Sequence, residues 1–196
     1  MTLARTRKLT PRPAKKLGRA FFARDAVTVA RDLVGKTIVR RHRGRDYAAR
    51  VVETEAYLGP HDLAAHSSKG RTKRTEVMFG PPGHAYVYLI YGMYQMLNIV
   101  VGREGDAQAI LLRAAEPLNG WDETLTGPGR LARALRVTPA DNGMDLTGDK
   151  LFLLEPGGNP PRLVVGKRVN VDYAGVWKDE LLRFYDADSR AVSKPR

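Results

Sequence analysis

The stretch AYVYLIYGMYQMLNIVV, residues 85–101, decides the expected fold. Residues 85–91 and 95–101 are rich in β-branched and aromatic side chains, and Gly92 lies in the short segment between them. Two such runs joined by a glycine-containing turn predict a β-hairpin, whose strands pair antiparallel. The hairpin therefore favours a fold in which strands meet through tight turns.

Outward from the hairpin, alternation and turn residues predict further strands over 36–41, 47–57, 107–114, 151–154, 163–165 and 182–185. Helices are expected over 25–34, 130–137 and 174–180. Residues 60–82 form a long polar loop, with one helical turn expected at 62–65. Because strands outnumber helices and hairpins imply antiparallel pairing, we predict a single α+β domain.

The 196 residues carry a formal net charge of +12 and include no cysteine. The lack of cysteine excludes disulfides, thiolate nucleophiles and cysteine-bound zinc, and it suits a reducing compartment. No apolar run approaches the roughly 20 residues that span a bilayer, so we expect no membrane association. The basic surplus favours a polyanionic partner, of which nucleic acid is the commonest. A basic surface that serves solubility is the alternative.

The positive charge is concentrated at the start of the chain, before the first acidic residue, Asp25: Arg5, Arg7, Lys8, Arg12, Lys15, Lys16, Arg19 and Arg24. Residues 1–19 are also poor in apolar side chains, which predicts a flexible arm ahead of a folded domain over 20–196. Such an arm suits contacts with phosphates. A transit peptide is the second interpretation, although the arm lacks serine enrichment.

The segment VVETEAY, residues 51–57, brings two carboxylates and a phenol together. Side chains alternate along a strand, so Glu53, Glu55 and Tyr57 are expected to share one face with Val51. This pattern is common on the solvated face of an edge strand. Near a cleft, a glutamate can act as a general base toward water. Periodicity does not distinguish between the two glutamates.

Four tyrosines fall within residues 86–94. Tyr86 and Tyr88 share one strand face, and Tyr91 lies near the hairpin tip, from which it could project. An aromatic ladder between strands is one explanation. Stacking on nucleobases, or insertion of a wedge into a DNA stack, is the functional one.

Two further features carry polar chemistry. The loop over 62–74 is basic and rich in serine and threonine, which suits phosphate contacts, and its His66 is either a structural hydrogen-bonding group or an acid or base. Arg113 lies in an apolar run and needs a partner, either Glu53 or Glu55, or it positions a carboxylate or a phosphate. The four histidines show no metal-binding spacing, so we expect no catalytic metal.

Taken together, these segments resemble the alkyladenine (3-methyladenine) DNA glycosylase family of the mammalian type. The matching stretches are ETEAYLGP (53–60), AAHS (64–67), MF (78–79), YVYLIYGMY (86–94), Asn98, LLRA (111–114), EPL (116–118), GPGRL (127–131) and LRFY (182–185). They follow the family's order over roughly residues 20–190. The resemblance implies a single mixed α/β domain with an antiparallel β-sheet and a protruding β-hairpin.

The resemblance also implies roles for particular residues. Glu55, rather than Glu53, matches the general base, and Arg113 matches the arginine that orients the base and its water. Tyr91 matches the wedge that replaces the extruded nucleotide. The implied base pocket consists of Tyr57, His66, Tyr88, Asn98, which crowds the 2-amino group of guanine, and Val169, which contacts the base through its backbone. Some relatives have glycine where this chain has Asn170, and because asparagine tolerates left-handed backbone angles, we expect the loop to keep its shape.

The function implied by the resemblance is that of a monofunctional DNA glycosylase in base-excision repair. Such an enzyme flips an alkylated or deaminated purine out of double-stranded DNA and hydrolyses its N-glycosidic bond with an activated water, leaving an abasic site. One carboxylate suffices, because an alkylated purine already carries the charge that makes it a good leaving group. We expect no cofactor, a monomer, and an intracellular location in the cytoplasm or nucleoid, or in the nucleus of a eukaryote.

Two alternatives belong to other functional classes. A non-catalytic basic nucleic-acid-binding protein would use the same arm and tyrosines but would not need Glu55 buried beside Tyr57. A glycosidase that acts on free nucleosides or sugars would not need the basic surplus or the wedge.

Overall fold

The computed structural model describes residues 14–155 and 160–193. In chain order its helices and strands are α1 (Arg19–Phe22), α2 (Ala26–Leu33), β1 (Thr37–His42), β2 (Arg45–Tyr57), β3 (Ala85–Ile90), β4 (Tyr94–Val101), β5 (Gln108–Pro117), α3 (Pro128–Ala134), β6 (Leu151–Leu154), β7 (Leu163–Gly166) and β8 (Arg183–Asp186). Short 3-10 helices occur at His66–Lys69, Glu76–Phe79, Pro139–Asp141 and Asp172–Asp179.

The strands form one antiparallel sheet in the order β3-β4-β5-β2-β1-β6. The long strand β2 is central: one edge pairs with β5, and the other pairs first with β1 and then with β8, which also pairs with β7. The predicted α+β class and antiparallel sheet are confirmed. The hairpin of β3 and β4 lies at the far end of the sheet, and its tip is exposed, as expected of a protruding hairpin.

The solvated-edge interpretation of residues 51–57 is wrong. The strand β2 has hydrogen-bonded neighbours on both edges, and Glu53 and Glu55 are fully buried, since the segments that carry Val169 and Ser193 cover the face on which they lie. Local alternation in a sequence indicates a strand but does not reveal how many neighbours that strand has.

The expectation that Val51 shares a face with Glu55 is also wrong, because the ladder between β2 and β5 is irregular. Val51 pairs with Ala115 and Glu53 pairs with Ala114, so Val52 has no partner on β5. Thr54 then pairs with Leu112, so Arg113 has no partner on β2. An extra residue of this kind reverses the alternation of side chains beyond it. As a result Val51 packs in the main core, on the same side as Thr54, whose hydroxyl donates to the Ala30 carbonyl of α2 at 2.8 Å.

The main core lies between the sheet and the helices α2 and α3, which both cover one face. From the hairpin and β5, Val87, Ile99 and Leu112 point into this core. Their neighbours in the chain therefore point to the opposite face, where Tyr86 and Val100 pack in a second, smaller cluster. This opposite face carries the chemistry-bearing residues.

Several boundaries differ from those predicted. The loop after β2 forms its helical turns at His66–Lys69 and Glu76–Phe79 rather than at 62–65, where the Asp62 side chain instead accepts hydrogen bonds from backbone N–H groups. The predicted helix over 174–180 is the 3-10 helix Asp172–Asp179. Helix α1 was not predicted.

The described part of the predicted arm lies against β6. The Leu17 N–H donates to the Leu153 carbonyl at 2.8 Å, and the Glu155 N–H donates to the Lys15 carbonyl at 2.7 Å. The remainder of the arm, residues 1–13, lies outside the described residues. Within the described residues, no helix combines the length and apolar character needed to cross a bilayer.

The start of α2 depends on Asp25, whose carboxylate accepts the Thr28 N–H at 2.9 Å. Hydrogen bonds from Thr28 lower the pKa of Asp25. Because this cap satisfies an otherwise unpaired helix N–H, we expect Asp25→Ala to lower the free energy of unfolding by about 1 kcal/mol in urea titrations. Asp32→Ala is the matched control, since Asp32 forms only an exposed pair with Arg24, and it should cost less than about 0.5 kcal/mol. Equal losses would contradict a capping role for Asp25.

Candidate active site

A pocket opens on the sheet face opposite the helices, between the hairpin and the loop that follows β2. It is lined by Tyr57, Ala64, His66, Met78, Tyr86, Tyr88, Asn98, Ala109 and Tyr173. Strand alternation places Tyr86, Tyr88 and Asn98 of the hairpin here, because the residues next to them in the chain point into the main core. Four residues of the predicted base pocket, Tyr57, His66, Tyr88 and Asn98, therefore line one cavity.

Glu55 lies behind Tyr57, fully buried, and two hydrogen bonds and one ion pair converge on it. Its Oε1 accepts the Val169 N–H at 2.7 Å, and its Oε2 accepts the Tyr57 hydroxyl at 3.0 Å. A guanidinium nitrogen of Arg113, Nη1, lies 3.4 Å from the same Oε2. Since only donors surround the two oxygens, the site is built for the ionised carboxylate.

The protonation equilibrium of Glu55 reflects two opposed influences. Burial raises the pKa of Glu55, whereas the Arg113 charge and the hydrogen bonds from Val169 and Tyr57 act to lower it, and the raising effect prevails. Burial likewise raises the pKa of Tyr57, so its hydroxyl keeps its proton and remains a donor. A carboxylate with a raised pKa is a stronger base than one in water.

Arg113 contacts both glutamates of the motif. Its Nε lies 2.9 Å from Glu53 Oε1, while Nη1 faces Glu55. Arg183 of β8 adds a second guanidinium, with its Nε 2.9 Å from Glu53 Oε1. Two buried carboxylates are thus paired with two buried guanidinium groups. This pairing is needed because an unpaired buried charge would cost several kcal/mol of stability.

The wall of the pocket is aromatic. The His66 and Tyr88 rings lie 4.4 Å apart, the Tyr86 and Tyr88 rings lie 5.4 Å apart, and His66 Nδ1 is 2.9 Å from the Tyr86 hydroxyl. Burial, together with the charge of Arg74, lowers the pKa of His66 to about 4. His66 is therefore neutral at neutral pH.

Asn98 and Val169 are held by hydrogen bonds. The Asn98 side-chain amide donates to the Tyr86 carbonyl at 3.1 Å, which fixes it in the pocket wall. The Val169 N–H is committed to Glu55, and its contact with a substrate base stays a prediction. Asn170 adopts a φ of +60°, so the expectation that asparagine takes up a left-handed conformation here is confirmed.

Tyr91 is at the hairpin tip, away from the pocket lining. Its side chain is 76% exposed, and Met93 beside it is also exposed. The backbone of Tyr91 has a φ of +52°, which is uncommon for a bulky residue and belongs to the tight turn between β3 and β4. The expected projection from the body of the protein is confirmed, whereas the wedge role stays a prediction.

Sequence reasoning missed the pair of Asp62 and Arg168, which is fully buried and joins the loop after β2 to the segment that carries Val169. The Asp62 oxygens lie 2.5 and 2.9 Å from the Arg168 guanidinium, which also donates to the Ala56 carbonyl and lies 4.8 Å from the Tyr57 ring centroid. The proximity of Arg168 to the motif residue Val169 was the only signal in the sequence.

Sequence reasoning also missed Tyr173, whose hydroxyl donates to the Ala64 carbonyl at 3.1 Å at the pocket wall. In the described ranges, 14–155 and 160–193, no cluster of three or more His, Asp or Glu side chains could hold a metal ion.

The Asp62 carboxylate should be essential to the fold around the site. We expect Asp62→Asn to lower the free energy of unfolding by about 3–5 kcal/mol, because it leaves the buried Arg168 guanidinium without a counter-charge. The control is Asp179→Asn, which breaks an exposed pair with Lys167 and should cost less than about 1 kcal/mol. Urea unfolding measures both, and a similar small loss for the two variants would contradict the structural importance of the buried pair.

Residues 20–190 match the family model described as methylpurine-DNA glycosylase. A protein of Legionella pneumophila (strain Lens) is 48% identical over 181 residues, which cover 92% of this chain and 99% of that protein. A protein of Anaeromyxobacter sp. (strain Fw109-5) is 53% identical over 180 residues, covering 91% and 93% of the two chains. One from Methanocella arvoryzae is 46% identical over 191 residues, covering 91% and 96%. All three are named "Putative 3-methyladenine DNA glycosylase".

Proposed function

This chain belongs to the methylpurine-DNA glycosylase family, and we propose that it flips damaged purines out of double-stranded DNA and hydrolyses their N-glycosidic bonds. A DNA glycosylase of the 3-methyladenine type is a hydrolase of N-glycosyl bonds, and DNA is its substrate. The observation that carries the finer proposal is the buried carboxylate of Glu55, held by two hydrogen bonds and one ion pair behind an aromatic pocket.

The pocket suits a base that has left the duplex. A purine inside the stack is out of reach, and its extrusion costs a few kcal/mol of unstacking. Stacking against Tyr57, His66 and Tyr88 would offset part of that cost. A cationic alkylated purine would gain a further cation–π attraction of about 0.5–2 kcal/mol from the tyrosine rings.

Glu55 retains the capacity to bind a water. An ionised carboxylate offers about four acceptor sites. The Val169 N–H and the Tyr57 hydroxyl take up two of them, and Arg113 Nη1 lies 3.4 Å from Oε2, so Glu55 keeps acceptor capacity for a water that it deprotonates. The same negative charge would stabilise the oxocarbenium character that develops on the sugar.

His66 is better suited to orienting the base than to protonating it. With a pKa of about 4, only about one His66 in a thousand carries a proton at pH 7. The leaving group of a cationic purine needs no proton. For a neutral purine, His66 would act as a neutral hydrogen-bonding group, and the expectation that it serves as an acid is the weaker interpretation.

Binding to DNA is supported by the net charge of +12 and by the hairpin tip. We propose that Tyr91, with its exposed ring, fills the gap left by the flipped nucleotide from the minor-groove side. We further propose that the protein acts as a monomer, because base flipping needs one pocket and one wedge. A purely DNA-binding protein would not need a carboxylate with spare acceptor capacity behind a pocket lined by aromatic side chains.

Replacement of Glu55 tests the catalytic role. We expect Glu55→Gln to lower the single-turnover excision rate for hypoxanthine or an alkylated purine by about 10²–10⁴-fold, because the amide cannot accept a proton from water. The dissociation constant for the lesion duplex should change less than about threefold. Glu76→Gln, at an exposed glutamate paired with Arg71, is the control and should retain full activity. Near wild-type excision by a folded Glu55→Gln variant would refute water activation by this residue.

A second prediction concerns the wedge. Tyr91→Ser should weaken binding to an abasic-site duplex about tenfold more than binding to an undamaged duplex, since only the former has a gap to fill. Leu118→Ser is the control, because Leu118 is also an exposed apolar residue but lies far from the pocket. It follows Pro117, which pairs with Ala49 of β2, whereas Tyr57 is at the other end of that strand. Fluorescence titrations measure both affinities, and equal losses on the two duplexes for Tyr91→Ser would reject the wedge.

A further inference from the structure

We propose that Glu53 is a positioning residue which, anchored by Ser193, fixes the Arg113 guanidinium in the orientation that brings it to Glu55. This inference rests on the proposed role of Glu55 and adds to it a second carboxylate with a different task. It also assigns a purpose to the segment 189–193, which lies 140 residues beyond Glu53 in the chain and reaches back to the site.

Glu53 is held more tightly than Glu55. Its Oε1 accepts the Arg113 Nε–H at 2.9 Å and the Ser193 hydroxyl at 2.8 Å, and it lies 2.9 Å from Arg183 Nε. Its Oε2 accepts the Ser193 N–H at 2.6 Å. Three hydrogen bonds and two guanidinium groups thus fix the Glu53 carboxylate, whereas Glu55 accepts two hydrogen bonds and pairs with one guanidinium group.

The contacts of Arg113 explain how Glu53 acts on Glu55. Nε of Arg113 donates to Glu53, and Nη2 donates to the Ser193 hydroxyl at 3.1 Å. Because the guanidinium group is planar and rigid, fixing two of its nitrogens determines where the third points. That third nitrogen, Nη1, lies 3.4 Å from Glu55 Oε2. The irregular register of β5 at Arg113 frees its side chain to make these contacts.

Ser193 is itself held in place. Its carbonyl accepts a hydrogen bond from Arg183 Nη2 at 3.2 Å, and the neighbouring Val192 packs with Val52 and Ala114 on the sheet face that carries the site. Earlier in the segment, Ser189 donates its hydroxyl to Glu116 at 2.5 Å. The segment 189–193 is thus fixed at several points, so Ser193 offers Glu53 a rigid anchor.

A change at Glu53 would have two opposite effects on Glu55. Loss of its negative charge, with Arg113 held still, would lower the pKa of Glu55, because a nearby like charge disfavours ionisation. Release of Arg113 from its orientation would raise that pKa, because Glu55 would lose its cationic partner. The other ionisable groups near Glu55 are the phenols of Tyr57, Tyr88 and Tyr173, the Arg183 guanidinium, which pairs with Glu53 from β8, and the Arg168 guanidinium, which lies over the Tyr57 ring. The sign of the change therefore reports whether Glu53 positions Arg113.

The test is a ¹³C NMR titration of the glutamate side-chain carboxyls in the free protein. The Glu55 signal is assigned by its absence in Glu55→Gln. We expect Glu53→Gln to raise the pKa of Glu55, and Ser193→Ala to raise it by less, since Ser193→Ala removes one hydroxyl and no charge. The controls Glu123→Gln and Thr147→Val remove a carboxylate that pairs with Arg136 and a hydroxyl that donates to Asp145, both outside this network, and should leave this pKa unchanged.

Activity provides a second readout. The single-turnover rate on a lesion duplex should fall about 10- to 100-fold in Glu53→Gln, because a displaced catalytic group loses its alignment. The acid limb of the pH–rate profile should move to higher pH together with the pKa of Glu55, since only ionised Glu55 accepts a proton. Affinity for the duplex should change less than about twofold. If Glu53 only stabilises the fold, Glu53→Gln should instead weaken binding to the duplex and leave the acid limb of the pH–rate profile where it is.

A lowered or unchanged Glu55 pKa in Glu53→Gln would overturn the proposal. If thermal melting shows that Glu53→Gln is unfolded, Ser193→Ala decides by the same criterion, because any shift it causes must come from orientation. Failure of the proposed function is separate: a wild-type protein that excises no damaged purine would refute the function, while the titration would still decide whether Glu53 positions Arg113.

Discussion

The structure depends on the burial of two negative charges in the middle of a sheet. Glu53 and Glu55 lie on the strand with neighbours on both edges, and both are fully buried. An unpaired buried carboxylate costs several kcal/mol, a large part of the 5–15 kcal/mol that stabilises a typical domain. Each surrounding element therefore supplies a compensating donor: Arg113 from β5, Arg183 from β8, the Val169 N–H from the loop after β7 and Ser193 from the segment after β8. The same donors that make the fold possible set the chemistry of the site.

Much of the secondary structure could be predicted, because hydrophobic period, turn residues and caps act over a few residues. The hairpin, the long strand β2 and helix α2 follow from such local patterns, and Asn170 could be assigned a left-handed conformation from its residue type. Strand order could not be predicted in this way, so the pattern of β2 alone favoured a solvated edge strand, an interpretation that the resemblance to a family already opposed. The irregular register between β2 and β5, which turns Val51 into the main core, depends on how two distant strands align. The buried pair of Asp62 and Arg168 likewise joins residues 106 apart, and no local pattern records such a pair.

The candidate site was only partly accessible to the same reasoning. Strand alternation did not distinguish Glu53 from Glu55 as the candidate general base, and only the resemblance to a family indicated Glu55. Hydrogen bonding distinguishes the two carboxylates, since Glu53 accepts three hydrogen bonds and Glu55 accepts two. The tyrosines posed a similar ambiguity between an aromatic ladder and a stacking surface. The two interpretations are compatible, because Tyr86 and Tyr88 pack against each other and also line the pocket.

The reach of Ser193 back to Glu53 also has a consequence for biosynthesis. A ribosome that adds about 5–20 residues per second needs roughly 7–28 s to extend the chain across the 140 residues between them. During that interval Glu53 lacks two of its donors, and Arg183 of β8 has not yet been made. Nascent chains can form the hairpin and helix α2 early, because these contacts are local, whereas the carboxylate centre assembles only after translation has passed Ser193. A truncated product that ends before this point would keep most of the sheet, but its Glu53 would lack both hydrogen bonds from Ser193.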